Sequence, residues 1–257
     1  MFTPFAFVKS GIVYDPDAQA FINATGISGT EATAINTLVL DLKSYSLWTK
    51  MKAVYPMVGG TSTTCKYNLI NPVDTNAGYR LSFVGGWTFS STGADPNGTN
   101  GYANTFLPQT DLTNNSGHLS YYSRQNDNGI LIGADDSTRY SMSPDYATGD
   151  YYCSLQTTTA KIGAAFDMIG FWVGTRTTDS AQDFYEDGVN KGIDDATSSA
   201  RQNFNFFIAS RNNSGTATNF SGAECAFASI GDGLDSTEVS NLNTAVQAFN
   251  TTLSRNV

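Results

Sequence analysis

Between residues 15 and 57 the apolar positions recur at helical spacing, and from Thr63 onward they alternate. Asp15-Pro16-Asp17 sets a capping acid before a proline, and Ala18, Phe21 and Ile22 follow at spacings of three and one until Gly26, which predicts a helix of about two turns. Ser28 and Glu31 have the spacing of a capping box, and Ile35, Leu38, Val39, Leu42 and Tyr45 form one stripe behind it. A second helix is therefore expected from about 29 to 45, extending at most to Met51. Leu47, Trp48, Met51 and Val54 to Met57 keep the apolar content without a clean period, and Gly59-Gly60 ends any regular element.

Period two then takes over in the runs 65–70, 80–84, 118–124, 129–133, 151–155 and 168–174, with Gly, Asn, Asp and Pro between them. About twelve strands are expected. The segment from Asp183 to Val257 reads as a hairpin around Asp187-Gly188, two further strands, and a helix opened by Asp235 and Glu238. On that helix Val239, Leu242, Val246, Phe249 and Leu253 repeat at spacings of 3, 4, 3 and 4. Little more than two heptads favours packing within the chain over a coiled coil between copies, although a symmetric oligomer stays open. The pattern predicts a mainly β chain, an antiparallel two-sheet jelly-roll sandwich with N-terminal helices and a C-terminal amphipathic helix. The expected organisation is an N-terminal segment and helical addition over 1–58 and the sandwich with its helix over 59–257, the two making one compact unit.

Composition narrows the function. Ser, Thr and Asn supply 78 of 257 residues while charged residues are only 14%, so the surface is neutral and hydrogen-bonding, suited to sugars or other proteins. A net charge of −9 without a Lys/Arg cluster argues against nucleic acid. Cys65, Cys153 and Cys225 are odd in number and lie in apolar runs, which reads as buried free thiols. The start of the chain lacks the pattern of a signal peptide, and no apolar window of membrane length occurs, so folding in a reducing cytoplasm without membrane insertion is expected.

Candidate chemistry is sparse. Of four glutamates, Glu31 and Glu238 belong to capping boxes, and Asp183 and Glu186 point to opposite faces of a regular strand, so the carboxylate pair of a glycosidase is not indicated. His118 lacks a second histidine or cysteine partner and is expected at a sheet edge, hydrogen-bonded. No cofactor or metal is indicated; calcium would fall to Asp135-Asp136, Asp194-Asp195 or Asp232, acids that serve equally as turn formers. The loop from Gly85 to Asn104 is the densest unusual stretch, with five glycines and the Pro96-Asn97-Gly98 turn. Trp87, Asp95, Asn97, Asn100 and Tyr102 are its candidates for glycan or partner binding, the competing reading being that Trp87 and Tyr102 are core residues at its base. Phe2, Phe5 and Phe7, separated by Pro4, are candidates for an interface with a neighbouring protein.

The element order after Asp183 resembles the C-terminal half of concanavalin A-like and laminin-G-like jelly rolls. Nearly the whole chain, through 17–27, 34–61, 85–88, 96–103 and 227–234, resembles virion proteins of tailed phages infecting Bacteroidetes, crAss-like phages among them. The resemblance implies a structural or decorating protein of tail or capsid, assembled in the host cytoplasm. Its implied partners are other virion proteins, a second copy of itself, or a host surface glycan. The alternatives are a carbohydrate-active enzyme and a free lectin; the jelly-roll glucanases that the fold also resembles carry Glu-x-Asp-x-x-Glu on one strand, and this chain has no such string.

Overall fold

A computed structural model describes residues 13–146, 150–159, 161–164, 166–194 and 196–257. Phe2, Phe5 and Phe7 lie outside the described residues, as does Asp195. Four α-helices are present among those described: α1 (Pro16–Thr25), α2 (Gly29–Ser44), α3 (Ser62–Cys65) and α4 (Ser236–Thr252). The strands are β1 (Met51–Tyr55), β2 (Ser82–Val84), β3 (Trp87–Phe89), β4 (Ala94–Pro96), β5 (Tyr102–Pro108), β6 (Gly117–Ser123), β7 (Ile132–Asp135), β8 (Arg139–Ser143) and β9 (Asp150–Thr157). They continue with β10 (Lys161–Ala164), β11 (Gly170–Arg176), β12 (Gln182–Glu186), β13 (Val189–Asp194), β14 (Asn205–Ile208), β15 (Arg211–Asn213), β16 (Thr216–Thr218) and β17 (Cys225–Gly231).

These strands form two sheets. The eight-stranded sheet runs β13-β12-β11-β6-β17-β4-β3, with β1 also on β17, and the nine-stranded sheet runs β10-β9-β8-β7-β14-β5-β2, with β15 and β16 attached beyond this path. Their pairings are antiparallel except for that of β15 with β7, which is parallel. Alternation along β6 and β11 sends Leu119, Tyr121 and Trp172 toward the nine-stranded sheet, while Tyr122, Phe171 and Val173 face the helices. Between the sheets Trp172 stacks on Phe184 at 5.1 Å, and Tyr140, Met142, Leu155 and Phe206 come from the opposite side. The eight-stranded sheet is thus buried on both faces, and α1, α2 and α4 form a third layer.

Local chemistry accounts for the helices. Asp15 accepts from the Asp17 amide at 3.0 Å, and Gly26 closes α1 in the left-handed region at φ 73°. Asp235 and Glu238 complete a capping box on α4, whose Val239, Leu242, Val246 and Phe249 are buried against the sheet and α2. The heptad stripe packs inside the chain.

Several expectations need correction. Ser28 makes no side-chain cap; Glu31 turns away and accepts from the Gly59 amide at 2.8 Å, joining α2 to a loop far along the chain. Residues 51–55 form β1, not a helical extension, because Ala53 and Tyr55 face the sandwich core while Val54 faces the helices. The run 65–70 is not a strand, since Thr61 and Thr64 cap the short helix α3. Strands number seventeen among the described residues; β1, the three-residue β2, β3 and β4, and the β15–β16 hairpin lift the count above twelve.

His118 is not at an edge either. It is the second residue of the central strand β6, between β11 and β17, and is completely buried. Nδ1 donates to the Asp232 carbonyl at 2.7 Å, which leaves Nε2 to accept from Ser229 Oγ at 3.0 Å, and Ser120 in turn donates to Ser229 Oγ at 2.6 Å. Burial lowers its pKa to about 4, so the ring is neutral at pH 7.

Candidate functional site

The loop after β2 crosses from the nine-stranded sheet to the edge of the other, and its polar side chains hold the loop itself. Asn97 Oδ1 accepts from the amides of Thr99, Asn100 and Gly101 at 3.1, 3.0 and 2.9 Å. Its Nδ2 donates to Asn100 Oδ1 at 2.8 Å, and that oxygen also accepts from the Gly86 amide at 3.0 Å. A Cβ on Gly85 would come 2.1 Å from the Asn100 carbonyl oxygen, so glycine is required for this approach. Trp87 donates its indole N–H to the carbonyls of Val84 and Tyr102 and packs edge-on against Phe83 at 5.0 Å. Half-buried, it closes the sandwich edge. Tyr102 lies on the outer face of the nine-stranded sheet, stacked on Phe207 at 4.6 Å, and is partly exposed. Trp87 and Tyr102 therefore present different surfaces.

Asp95 is half-buried on β4, and burial, with the charges of Glu224 and Asp127 nearby, raises its carboxyl above the ordinary value. Glu224 is engaged by Arg124 at 2.9 Å and Thr92 Oγ1 at 2.5 Å. On the Asp187-Gly188 hairpin, Glu186 pairs with Lys191 at 2.6 Å and Asp183 accepts from Asn190 at 3.2 Å. Asp232 accepts from the Thr113 amide, and Asp136 from Ser214 Oγ. No grouping of three or more His, Cys, Asp or Glu able to hold a metal occurs among the described residues. No helix of these residues is long and apolar enough to cross a membrane.

A polar cavity of about 470 Å³ opens at one end of the sandwich, lined by Asn114, Asn115, Gln156, Asp179, Ser198 and Ser199 among others. Four separate segments converge on it: the turn before β6, the end of β9, the turn after β11, and the stretch after β13. Gln156, 1% exposed, anchors the wall. Its Oε1 accepts from the Asn115 amide at 2.9 Å and Tyr140 at 3.2 Å, and its Nε2 donates to Asn114, Asn115 and the Ser199 carbonyl at 2.9, 3.3 and 2.8 Å. Ser198 Oγ donates to Asn115 Oδ1 at 2.7 Å. Both Asn115 and Gln156 sit in the left-handed backbone region, at φ 58° and 54°, a costly conformation that the hydrogen bonds sustain. Beneath, buried Arg176 donates to the carbonyls of Leu155, Thr178 and Ala196 and so fixes three of the walls. Such a surface offers fixed amide and hydroxyl groups with a single carboxylate, Asp179. Sequence reading missed it because its members are scattered and unremarkable one by one; the Asn114-Asn115 and Ser198-Ser199 doublets were the only local signal.

No family model matches the chain, and no curated protein does. Among solved structures it is similar to domain 4 of AbnA, a GH43 extracellular arabinanase from Geobacillus stearothermophilus, at 14% identity and TM-score 0.53, over 75% of this chain and 98% of that one. A mutant Trypanosoma rangeli sialidase displaying trans-sialidase activity aligns at 12% identity and TM-score 0.56, over 85% of this chain and 39% of its own. A botulinum neurotoxin type C structure aligns at 11% identity and TM-score 0.53, over 79% and 53% respectively. These likenesses define the class as a two-sheet antiparallel jelly roll, here with a helical layer on one sheet.

Proposed function

We propose that this chain is a non-catalytic binding protein whose jelly roll recognises glycan hydroxyls through the end cavity, and that it serves as a structural or decorating component of a phage particle. The observation carrying the binding reading is the wall around Gln156, where five hydrogen bonds hold neutral amides in place before any ligand arrives. Amides and hydroxyls that face a concave surface match the alternating donors and acceptors of a sugar. The fold accommodates such ligands elsewhere: the arabinanase domain was solved in complex with arabinotriose, and entry of the neurotoxin depends on two ganglioside molecules. The particle role rests on the sequence resemblance to virion proteins.

A glycan array probed with the full chain tests the binding reading. Asn115→Ala combined with Ser198→Ala should weaken the best hit about tenfold while leaving the melting temperature within a few degrees. Binding unchanged by that pair would remove the cavity from the reading, and turnover of the glycan would replace it with an enzyme. Mass spectrometry of purified particles should find the chain in stoichiometric amount; its absence would end the virion reading.

A further inference from the structure

Within the end cavity some polar groups are already spent on the protein, and others are left over. The side-chain oxygens of Asn114 and Asn115 both accept from Gln156 Nε2, at 2.9 and 3.3 Å, and Asn115 Oδ1 also takes the hydroxyl hydrogen of Ser198 at 2.7 Å. Each asparagine is thereby oriented, with its oxygen on the wall and its two N–H donors turned away from it. Those donors meet no acceptor among the described residues, and neither asparagine is buried. Asp179 supplies the opposite half. It is exposed on the turn after β11, and its carboxylate receives no hydrogen bond and no ion pair among the described residues. Its backbone is nevertheless fixed: the Asp179 carbonyl accepts from the Ser198 amide at 2.8 Å, and the neighbouring Thr178 carbonyl accepts from Arg176 Nη1 at 3.1 Å. The cavity therefore offers amide donors from the turn before β6 and a carboxylate acceptor from the turn after β11, each on a backbone held in place.

A saccharide matches this division. Its hydroxyl hydrogens can go to the carboxylate, in bonds strengthened by the charge, while its oxygens accept from the asparagine amides. The sign of the charge then sorts the ligands. No Lys or Arg stands among the described residues that line the cavity, and Arg176 beneath it is 0% exposed, its guanidinium committed to the carbonyls of Leu155, Thr178 and Ala196. A ligand carboxylate or sulfate would meet Asp179 with no facing cation to offset it, and the net charge of −9 adds to the repulsion.

We infer that Asp179 determines the specificity of the cavity, accepting the hydroxyls of uncharged saccharides and turning away those that carry a carboxylate or sulfate. The inference rests on glycan binding at this cavity, as proposed, and adds the class of glycan. It is tested on an array in which each neutral sugar stands beside its uronic-acid, sialylated or sulfated form, probed with the full chain, with the best pair then titrated by calorimetry. Wild type should hold the neutral member at least about tenfold more tightly, and the gap should narrow as sodium chloride rises from about 50 to about 500 mM. Asp179→Asn keeps the size of this exposed side chain and removes its charge: the neutral member should weaken, the acidic one should gain, and the two should come within about twofold of each other. Asp179→Lys should favour the acidic member. Equal binding of both members by wild type, or a ratio unchanged in Asp179→Asn, overturns the inference; where Asn115→Ala/Ser198→Ala still weakens the same hit, the cavity stands without it. A hit indifferent to that double substitution removes the cavity and the inference together, and so does an array on which nothing binds.

Discussion

Arg255 Nη2 donates to the carbonyl of Pro56 at 2.6 Å, across 199 residues of chain. The same guanidinium donates to Met57 and Ala226 carbonyls at 2.8 and 2.7 Å and to Asn250 Oδ1 at 2.8 Å, and it lies 5.0 Å over the Phe249 ring. With 1% exposure and only neutral acceptors, burial lowers its pKa to about 10, and it remains charged at pH 7. It ties the C-terminal helix to β17 and to the chain leaving β1. Arg255→Met keeps the volume but strands the buried carbonyls, so a loss of ~3–5 kcal/mol is expected in urea unfolding, with Arg255→Lys recovering only part.

His118 makes stability fall on the acid side. Its folded pKa, about 4, is below the ordinary 6.5, so protonation favours the unfolded chain. Its contribution is complete above pH 6.5 and is lost as pH falls toward 4, amounting to ~3 kcal/mol once the ring is protonated in both states. The wild-type melting temperature should therefore drop more steeply between pH 6.5 and 4 than that of His118→Gln, measured side by side. Parallel profiles would assign the acid loss to carboxylates.

Leu242 tests where the heptad stripe packs. It is fully buried between α4 and the layer formed by α2 and the eight-stranded sheet. Leu242→Ala should cost ~2–5 kcal/mol in chemical unfolding. Sedimentation of the folded variant should match that of wild type, whereas a shift toward smaller species would mean the stripe also joins copies.

The three thiols should be silent until the fold opens. Cys65, Cys153 and Cys225 are buried, and burial pushes Cys65 up to about 11 and Cys225 higher still. An aromatic disulfide reagent at pH 8 should label none of them within minutes in the native protein and all three in guanidinium; rapid native labelling of Cys65 would show that the α3 region opens readily.

Gly188 holds the second turn position at φ 78° after Asp187 at 47°. Gly188→Ala adds left-handed strain and brings a Cβ to 3.3 Å from Asn243 Nδ2, so a loss of ~1–2 kcal/mol is expected by thermal unfolding.

How far the chain discloses itself depends on the range of the interaction. Stripes such as Ile35, Leu38, Val39 and Leu42, the caps at Asp15 and Asp235, and the Asp187-Gly188 turn act over a few residues, and each stands where the pattern put it. Alternation likewise announced a two-sheet sandwich. Where a side chain had two possible partners, the local rule failed: Glu31 left its capping box for the Gly59 amide, and His118 became the buried centre of a serine chain. Asn97 and Asn100 were legible as unusual, but their amides close the loop on itself. Short strands such as β3 and β4 carry too few residues for a period and exist because neighbouring strands satisfy their backbone groups.

The sequence alone determined that this is a neutral-surfaced, helix-capped β-sandwich with buried thiols, because periodicity, turn chemistry and composition are properties of neighbouring residues. Only the tertiary structure decided which distant polar groups gather. Gln156 meets Asn115 and Ser199, and Asp135 meets Arg211, through strand register and loop convergence, and such meetings between distant residues leave no trace in the order of the chain.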